Sequence, residues 1–509
     1  MAETSFSPFA VLLDLFAIFI LALLVILIVA IVWMYIADIH QSRHAIRRNY
    51  PVVGRFRYFF EHLGQFFRQY FFAMDQEEMP FNRAQRAWVY RAAKKQSGAT
   101  LAFGSTVNTH QACTVLFVTH PFPTLEKDYI KPSARTIGVA CREPYQANSF
   151  FNISAMSFGA ISRPAVQALS NGAAKAGCWL NTGEGGLSRY HLEGGCDIVF
   201  QIGTAKYGVR NDQGGLDDEK LLEIAAHPQV KMFEIKISQG AKPGKGGILP
   251  AIKVTGEIAQ TRGIPAGEAS ISPNGHVDIR NVDELLDSIV HIRELTGKPV
   301  GFKLVVGGTG FFNDLCSAIK RRGIEASAPD FITIDSGDGG TGAAPQSLLD
   351  NAGLNIRETL ALVIDELKRQ GLKERIAVVA SGKLITPVDV TWALCVGADF
   401  VVSARGYMFA LGCIQAMQCN KNTCPTGVAT HDPDLQQGLD PVNKAERVAN
   451  YVTNMVGEIA TIAHSCGVRE PRELNRSHAR IVTELGQSLP MEEFYTAAGQ
   501  QKPIFPRVN

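Results

Sequence analysis

From residue 150 onward, short apolar or β-branched runs recur, each ending in Gly, Ser, Thr or a charged residue. They read FNISAM (151–156), CWLNT (178–182), IVFQIG (198–203), MFEIKI (232–237), VGFKLVV (300–306), FITID (331–335), IAVVAS (376–381) and FVVSAR (400–405). Runs this short and this apolar are what strands buried on both faces look like. Between them, 161–176, 281–296, 346–370 and 386–397 read as helices. Strands alternating with helices predict a parallel sheet, and eight of them over about 255 residues predict a closed (β/α)8 TIM barrel. An open doubly wound sheet is the alternative, but no strand is followed by the GxGxxG that dinucleotide binding there requires. GAKPGKGG (240–247) mimics a phosphate loop. Its glycine spacing is one short, and Gly246 stands where a magnesium-binding Ser or Thr belongs. Residues 441–509 read as helical to about 465 and irregular beyond, with a packing role.

The N-terminal pattern is different. Leu15 to Ala37 carries no charge and is bounded by Asp14 and Asp38. As a helix it spans roughly 30 Å or slightly more, the thickness of a hydrocarbon core. Trp33 and Tyr35 stand near its end, where amphipathic rings favour the interface. A secretory signal is the competing reading. Glu3 without a Lys or Arg before the span, the length of the run and the lack of a small-residue cleavage site speak against it. Arg43, Arg47, Arg48, Arg55 and Arg57 follow the span. A single-pass membrane anchor is therefore expected, N-terminus out and catalytic domain cytoplasmic. In RFRYFFEHLGQFFRQYFF (55–72) aromatics recur at near-helical spacing with arginines between them. That pattern fits a helix lying on the bilayer surface or one packed on the catalytic domain.

Composition narrows the class. The chain has 509 residues, 46% of them hydrophobic, with net charge +2. No basic run interleaved with aromatics marks the globular part, so nucleic acid is not an expected partner. Ten cysteines are ordinary usage for this length, and their scatter points to a reducing compartment. Seven of them (Cys113, Cys141, Cys178, Cys196, Cys316, Cys395 and Cys466) read as small apolar packing residues.

In such barrels chemistry sits at the C-terminal strand ends, and phosphate commonly binds after the seventh and eighth strands. Those ends read Ser381-Gly382-Lys383 and Ala404-Arg405-Gly406, and DSGDGGTGAAP (335–345) follows the sixth strand. Glycines let backbone N–H groups approach phosphate, and Lys383 and Arg405 add charge. A flat phosphorylated cofactor is implied, and FMN fits best. Lys236 and Lys303 lie in otherwise apolar strands. Each either pairs with a buried carboxylate or faces an anion at the strand end, such as the N1–C2 edge of a reduced flavin.

Directly after the eighth strand, GCIQAMQCNKNTCPTG (412–427) sets Cys413, Cys419 and Cys424 close together. A disulfide would strand one thiol. Zinc needs a fourth ligand, for which His431 is the candidate. A [3Fe-4S] cluster needs three thiolates, and Cys-Pro is a familiar ending of cluster loops.

LGCIQAMQCNKNTCPTGVAT resembles the cluster loop of the glutamate synthase family. The resemblance extends through SAMSFGAIS (154–162), NTGEGG (181–186), EIKISQGAKPGKGGILP (234–250), KLV (303–305) and GDGGTGAAP (337–345), covering about residues 100–470. It implies FMN contacts at Ser154, Ala155, Met156, Ser157, Gln201 and Lys303. The phosphate would be held by Asp338, Gly339, Gly340, Thr341 and Gly342, by Ser381, Gly382 and Lys383, and by Arg405 and Gly406. It implies that 2-oxoglutarate and its imine meet Glu184, Lys236, Gln239 and Lys242, and that Cys413, Cys419 and Cys424 hold the cluster. The implied reaction condenses 2-oxoglutarate with ammonia and reduces 2-iminoglutarate to L-glutamate. The expected organisation is an anchor at 1–39, a helical connector at 40–100, the barrel at 101–470 and a C-terminal extension at 471–509.

The departures bear on partners. The chain starts MAETSF without the family's glutaminase domain, stops before its glycine-rich β-helix, and carries no nicotinamide motif. Electrons are then expected from ferredoxin, a flavoprotein subunit or membrane quinone, and ammonia from solution or another subunit. Lys245 stands where the resemblance leads one to expect an acidic residue, which adds positive charge near a dicarboxylate site. Two other functions compete. One is an amino-acid or N-alkyl-amino-acid dehydrogenase passing electrons to quinone, and the other is an electron-transfer subunit with a vestigial flavin site.

Overall fold

The computed structural model describes residues 8–41, 44–67, 71–72, 74–95 and 102–500. Arg43 and residues 68–70 of the aromatic run lie outside them, as do the first seven and last nine residues. The chain divides into two compact units, residues 1–84 and 85–509.

The first unit begins with helix α1 (Pro8–His40). Among the described residues it is the one helix long and apolar enough to cross a membrane, by length and composition. A five-residue helix, Ala45–Asn49, connects it to helix α2 (Val53–Phe67).

In the second unit eight parallel strands close into a barrel. They are β1 (Phe151–Ile153), β2 (Leu180–Asn181), β3 (Ile198–Ile202), β4 (Val230–Lys236), β5 (Val300–Val305), β6 (Phe331–Asp335), β7 (Ala377–Ser381) and β8 (Phe400–Ser403). Each pairs with the next in sequence, and β8 closes on β1 with Val401 opposite Phe151. All eight expected runs are strands of this barrel. Their inward side chains, among them Trp179, Val199, Met232, Phe331, Val379 and Val402, join one core cluster. The lower barrel is thus a packed plug, and chemistry is confined to its rim.

The expected helices at 161–176, 281–296 and 386–397 appear as Arg163–Ala176, Val282–Thr296 and Pro387–Val396, with N-caps Ser162, Asn281 and Thr386. The stretch 346–370 is two helices, Gln346–Asn351 and Ile356–Arg369. Gly353 breaks it at φ +85°, where a Cβ would stand 2.4 Å from Val305 Cγ1. The long helix Pro441–Ser465 packs on Arg163–Ala176, and its Asn450 and Asn454 side chains donate to the carbonyls of Ala93 and Ala92. Beyond it the chain is more ordered than expected. Ala479–Val482 pairs antiparallel with Val115–Phe117 and Ser488–Pro490, and a helix, Met491–Gln500, follows.

Candidate functional site

Strand β4 alternates, so Met232, Glu234 and Lys236 share the inward face at rising height. Lys236 ends the strand on the rim. Its Nζ lies 2.6 Å from Glu184 Oε2 and donates to Gln239 Oε1 at 2.9 Å. Glu184 sits on the tight turn Gly183–Gly185 after β2. Gly183 has φ +64°, and a Cβ there would lie 2.6 Å from Ser157 N, so the turn presses on the Ser154–Ser157 loop. Gly203 and Gly247 leave the slot for the carboxylate; a Cβ on either would come within 2.6 Å of a Glu184 oxygen. Lys242 and Arg262 are buried alongside. Burial alone would raise the Glu184 pKa, but the Lys236 charge and hydrogen bond, with Lys242 and Arg262, hold it below the usual carboxylate range. Burial pulls Lys242 and Arg262 down, against the Glu184 charge.

One layer below, Glu234 accepts hydrogen bonds from Asn181 Nδ2 (2.8 Å), Gln201 Nε2 (2.7 Å) and Thr333 Oγ1 (2.6 Å). A carboxylate only accepts, so the Gln201 NH2 group is turned toward it and the amide orientation is fixed. Lys303 Nζ stands 3.2 Å from Asp335 Oδ2. Asp335 also takes bonds from Ser381 Oγ (2.8 Å) and the Gly240 N–H (2.9 Å). Both strand lysines therefore pair with a carboxylate, buried Asp335 or largely covered Glu184, and also line the cavity.

The opposite wall is backbone. Gly340, Thr341, Gly342, Gly382 and Lys383 line the cavity, and their N–H groups have no protein acceptor among the described residues. A Cβ on Gly382 (φ +109°) would sit 2.3 Å from Ser336 Cβ. Close approach of backbone to a ligand is what such glycines permit. Lys383 Nζ pairs with Asp338 Oδ2 at 2.9 Å. Arg405 Nη2 donates to Thr341 O at 2.5 Å, and its Nη1 is 3.9 Å from Cys419 Sγ, so one guanidinium joins the glycine loop to the thiol loop.

Cys413, Cys419 and Cys424 line the same cavity. Tyr90 Oη donates to Cys413 O at 2.6 Å, and buried Lys253 Nζ donates to Cys419 O and Ala429 O, both at 2.7 Å. Burial works to raise the Cys424 thiol pKa, but hydrogen bonds from the Thr426 hydroxyl and nearby backbone bring it below its ordinary value. Burial raises that of Cys413. Among the described residues no three Cys, His, Asp or Glu side chains gather tightly enough to hold a bare metal ion. His431, the candidate fourth zinc ligand, donates its Nε2–H to Gly159 O at 2.8 Å, and burial lowers its pKa to about 4.

Of the residues expected from sequence, all line this one cavity except Asp338, Gly339 and Gly406. Asp338 is held by Lys383 and the Ser336 hydroxyl, Gly339 N–H donates to Ser336 O, and Gly406 lies under Tyr451 Oη. The sequence reading missed Arg262, Lys253, Asp335 and Glu234. Lys253 did carry a signal, a lone charge inside an apolar run, and Glu234 shares the short apolar run MFEIKI with Lys236.

The conserved region in glutamate synthase matches residues 110–469 of the chain. The chain is 38% identical over 498 residues to the glutamate synthase large subunit-like protein YerD of Bacillus subtilis (strain 168), covering 90% of this chain and 94% of the relative. It is 35% identical over 331 residues to the archaeal glutamate synthase (NADPH) of Methanocaldococcus jannaschii, covering 65% of this chain and 61% of the relative. The chain thus spans less than two thirds of the length of that relative. Among solved structures, the monotopic membrane protein (S)-mandelate dehydrogenase superposes with TM-score 0.45 at 11% identity, covering 78% of this chain and 98% of that one.

Proposed function

The chain belongs to the glutamate synthase family, and on that premise we propose that it is an FMN-dependent oxidoreductase reducing the imine of 2-oxoglutarate to L-glutamate. The observation that carries the reading is the two-sided cavity. One wall holds Lys236, Lys242 and Arg262 around Glu184, and the other offers unpaired backbone donors.

The donors of Gly340–Gly342, Gly382 and Lys383 suit a phosphate monoester, whose oxygens accept several N–H bonds at once. Gln201, its NH2 committed to Glu234, presents its carbonyl oxygen as the acceptor for an imide N–H. Lys303 is the cation for the electron-rich edge of the ring. Lys242 and Arg262 provide charge for the carboxylates of a dicarboxylic substrate. Lys236, held by Glu184 and Gln239, keeps a proton on Nζ for the oxygen or nitrogen on the reacting carbon. Cys413, Cys419 and Cys424 are the proposed ligands of a [3Fe-4S] cluster, with Lys253 and Arg405 offsetting its negative charge. When bound, FMN supplies hydride and the cluster supplies electrons one at a time from an external donor such as ferredoxin, a flavoprotein subunit or quinone. Helix α1 is read as a single membrane anchor.

The same helix favours a second reading, in which the site runs in reverse as an amino-acid or N-alkyl-amino-acid dehydrogenase delivering electrons to quinone. An anaerobic experiment separates them. The chemically reduced, detergent-solubilised protein is mixed with 2-oxoglutarate, with and without ammonium, and flavin absorbance is followed by stopped flow. Reoxidation that requires both, with glutamate formed, is the expected result. A flavin that stays reduced overturns the synthase reading, and reduction of the oxidised protein by an amino acid in the presence of quinone would replace it. Protein that purifies without flavin would point to an electron-transfer subunit.

A further inference from the structure

Helix α2 carries an apolar stripe on its open side. At 100° per residue Phe56, Phe60, Leu63 and Phe67 fall on one line, with Phe59 beside it. Phe56, Phe59 and Phe60 are 58%, 57% and 61% exposed. Phe56 and Phe60 stack at 6.4 Å, and Phe59 meets Phe60 edge-on at 5.3 Å, so the rings form a continuous surface. The opposite side of the helix is fastened. The Arg47 guanidinium lies 4.8 Å over the Tyr58 ring, and His44 meets that ring edge-on at 5.0 Å.

The join to α1 is equally defined. Asp38 directly follows the uncharged run and is 1% exposed. It accepts from Arg55 Nε at 3.1 and 2.8 Å, through both its oxygens, and from the Val52 N–H at 3.0 Å. Gly54 lets α2 start against the preceding short helix, since a Cβ there would lie 2.8 Å from Ile46 O. These bonds hold the start of α2 level with the end of the apolar run.

We propose that α2 lies on the surface of an anionic bilayer, its phenylalanines in the headgroup–acyl boundary, as a second membrane contact set by the Asp38–Arg55 elbow. This rests on α1 crossing the bilayer. The depth follows from the elbow: if Leu15–Ala37 fills the hydrocarbon core, Asp38 and the first turn of α2 are at headgroup level. The partner follows from the charges. Arg57 flanks the stripe and Arg48 precedes it, both exposed and available to phosphate groups. An aromatic stripe between arginines suits that boundary better than a protein core, where the guanidinium groups would need buried partners.

The test places a photoreactive benzophenone side chain at Phe60, or at Glu61 on the opposite face, in the full chain. The protein is reconstituted into vesicles of phosphatidylcholine with a minority of phosphatidylglycerol, and adducts are identified by mass spectrometry. The Phe60 probe is expected to give about tenfold more lipid adduct than the Glu61 probe, and Asp38→Asn is expected to abolish most of that difference. Adducts from position 60 to residues 85–509 or to a second copy, or equal lipid adduct at both positions, overturn the proposal. Near-ultraviolet circular dichroism checks that each variant is folded. Release of the wild-type chain by alkaline carbonate would refute the anchor and this contact together. Retention without lipid adducts at position 60 would refute this contact alone.

Discussion

Replacing Lys236 by methionine removes a buried cation that stands 2.6 Å from Glu184 Oε2. At that separation two unit charges attract by about 6 kcal/mol at an effective dielectric near 20. Stripping one partner from such a pair typically costs about 3–5 kcal/mol, because the other charge is left buried and unpaired. Lys242 and Arg262 still face Glu184 in the variant, so a loss near the lower end, about 3 kcal/mol, is expected. The pH dependence fixes the cause. In the wild-type protein the Glu184 pKa is depressed, so its contribution is present above the unfolded value and lost as pH falls through the folded one. Without Lys236, burial raises that pKa, the carboxyl becomes neutral at higher pH, and the penalty shrinks under acid. Denaturant unfolding of the detergent-solubilised protein at pH 7 and pH 5 measures this for Lys236→Met, Glu184→Gln and the double variant. The double variant should lose less than the sum of the singles, with a coupling of about 2 kcal/mol. Additive losses, or a Lys236→Met penalty that does not fall with pH, would refute the pairing argument.

Three further outcomes are expected. Gly382→Ala forces a side chain into a φ of +109° and against Ser336, so it should cost about 2 kcal/mol or more and lower the flavin content of purified protein. Cys419→Ser should remove any iron–sulfur absorbance and paramagnetic signal while flavin is retained; loss of both together would mean the loop is structural. His191 is fully buried and its pKa is lowered to about 4. The unfolded chain therefore takes up that proton first as pH drops below about 6.5, removing about 2 kcal/mol by pH 5, and His191→Gln should flatten that slope in a denaturation series.

The barrel was legible because strands buried on both faces must be largely apolar, and the eight expected runs contain seven of the strands whole and all but the first two residues of β4. What failed to show was anything decided at long range. Ala479–Val482 pairs with Val115–Phe117, more than 350 residues earlier, and strands that short carry no period to read. The break at Gly353 was hidden for a related reason: the collision that demands glycine is with Val305, on another strand.

The site divides along the same line. Glycine loops and clustered cysteines announce themselves locally, because backbone donors and thiolates need particular residues at particular spacings. Arg262 reaches the site from the helix Gly256–Arg262, and Lys253 from the turn Ala251–Lys253. The two strand lysines are the most instructive case. Sequence offered two alternatives for each, a buried ion pair or an anion-facing cation, and the structure shows the ion pair while also setting each lysine on the cavity wall. Lys236 is tied to Glu184 and Lys303 to Asp335, yet each lines the cavity. A buried cation costs too much to wait unpaired for a ligand. A carboxylate behind it holds the charge in place, and an anion entering from the cavity meets a lysine that is already oriented. In the proposed function the partner carboxylates would therefore be part of the anion site, and exchanging either member of the Lys236–Glu184 pair should disturb stability and ligand binding together.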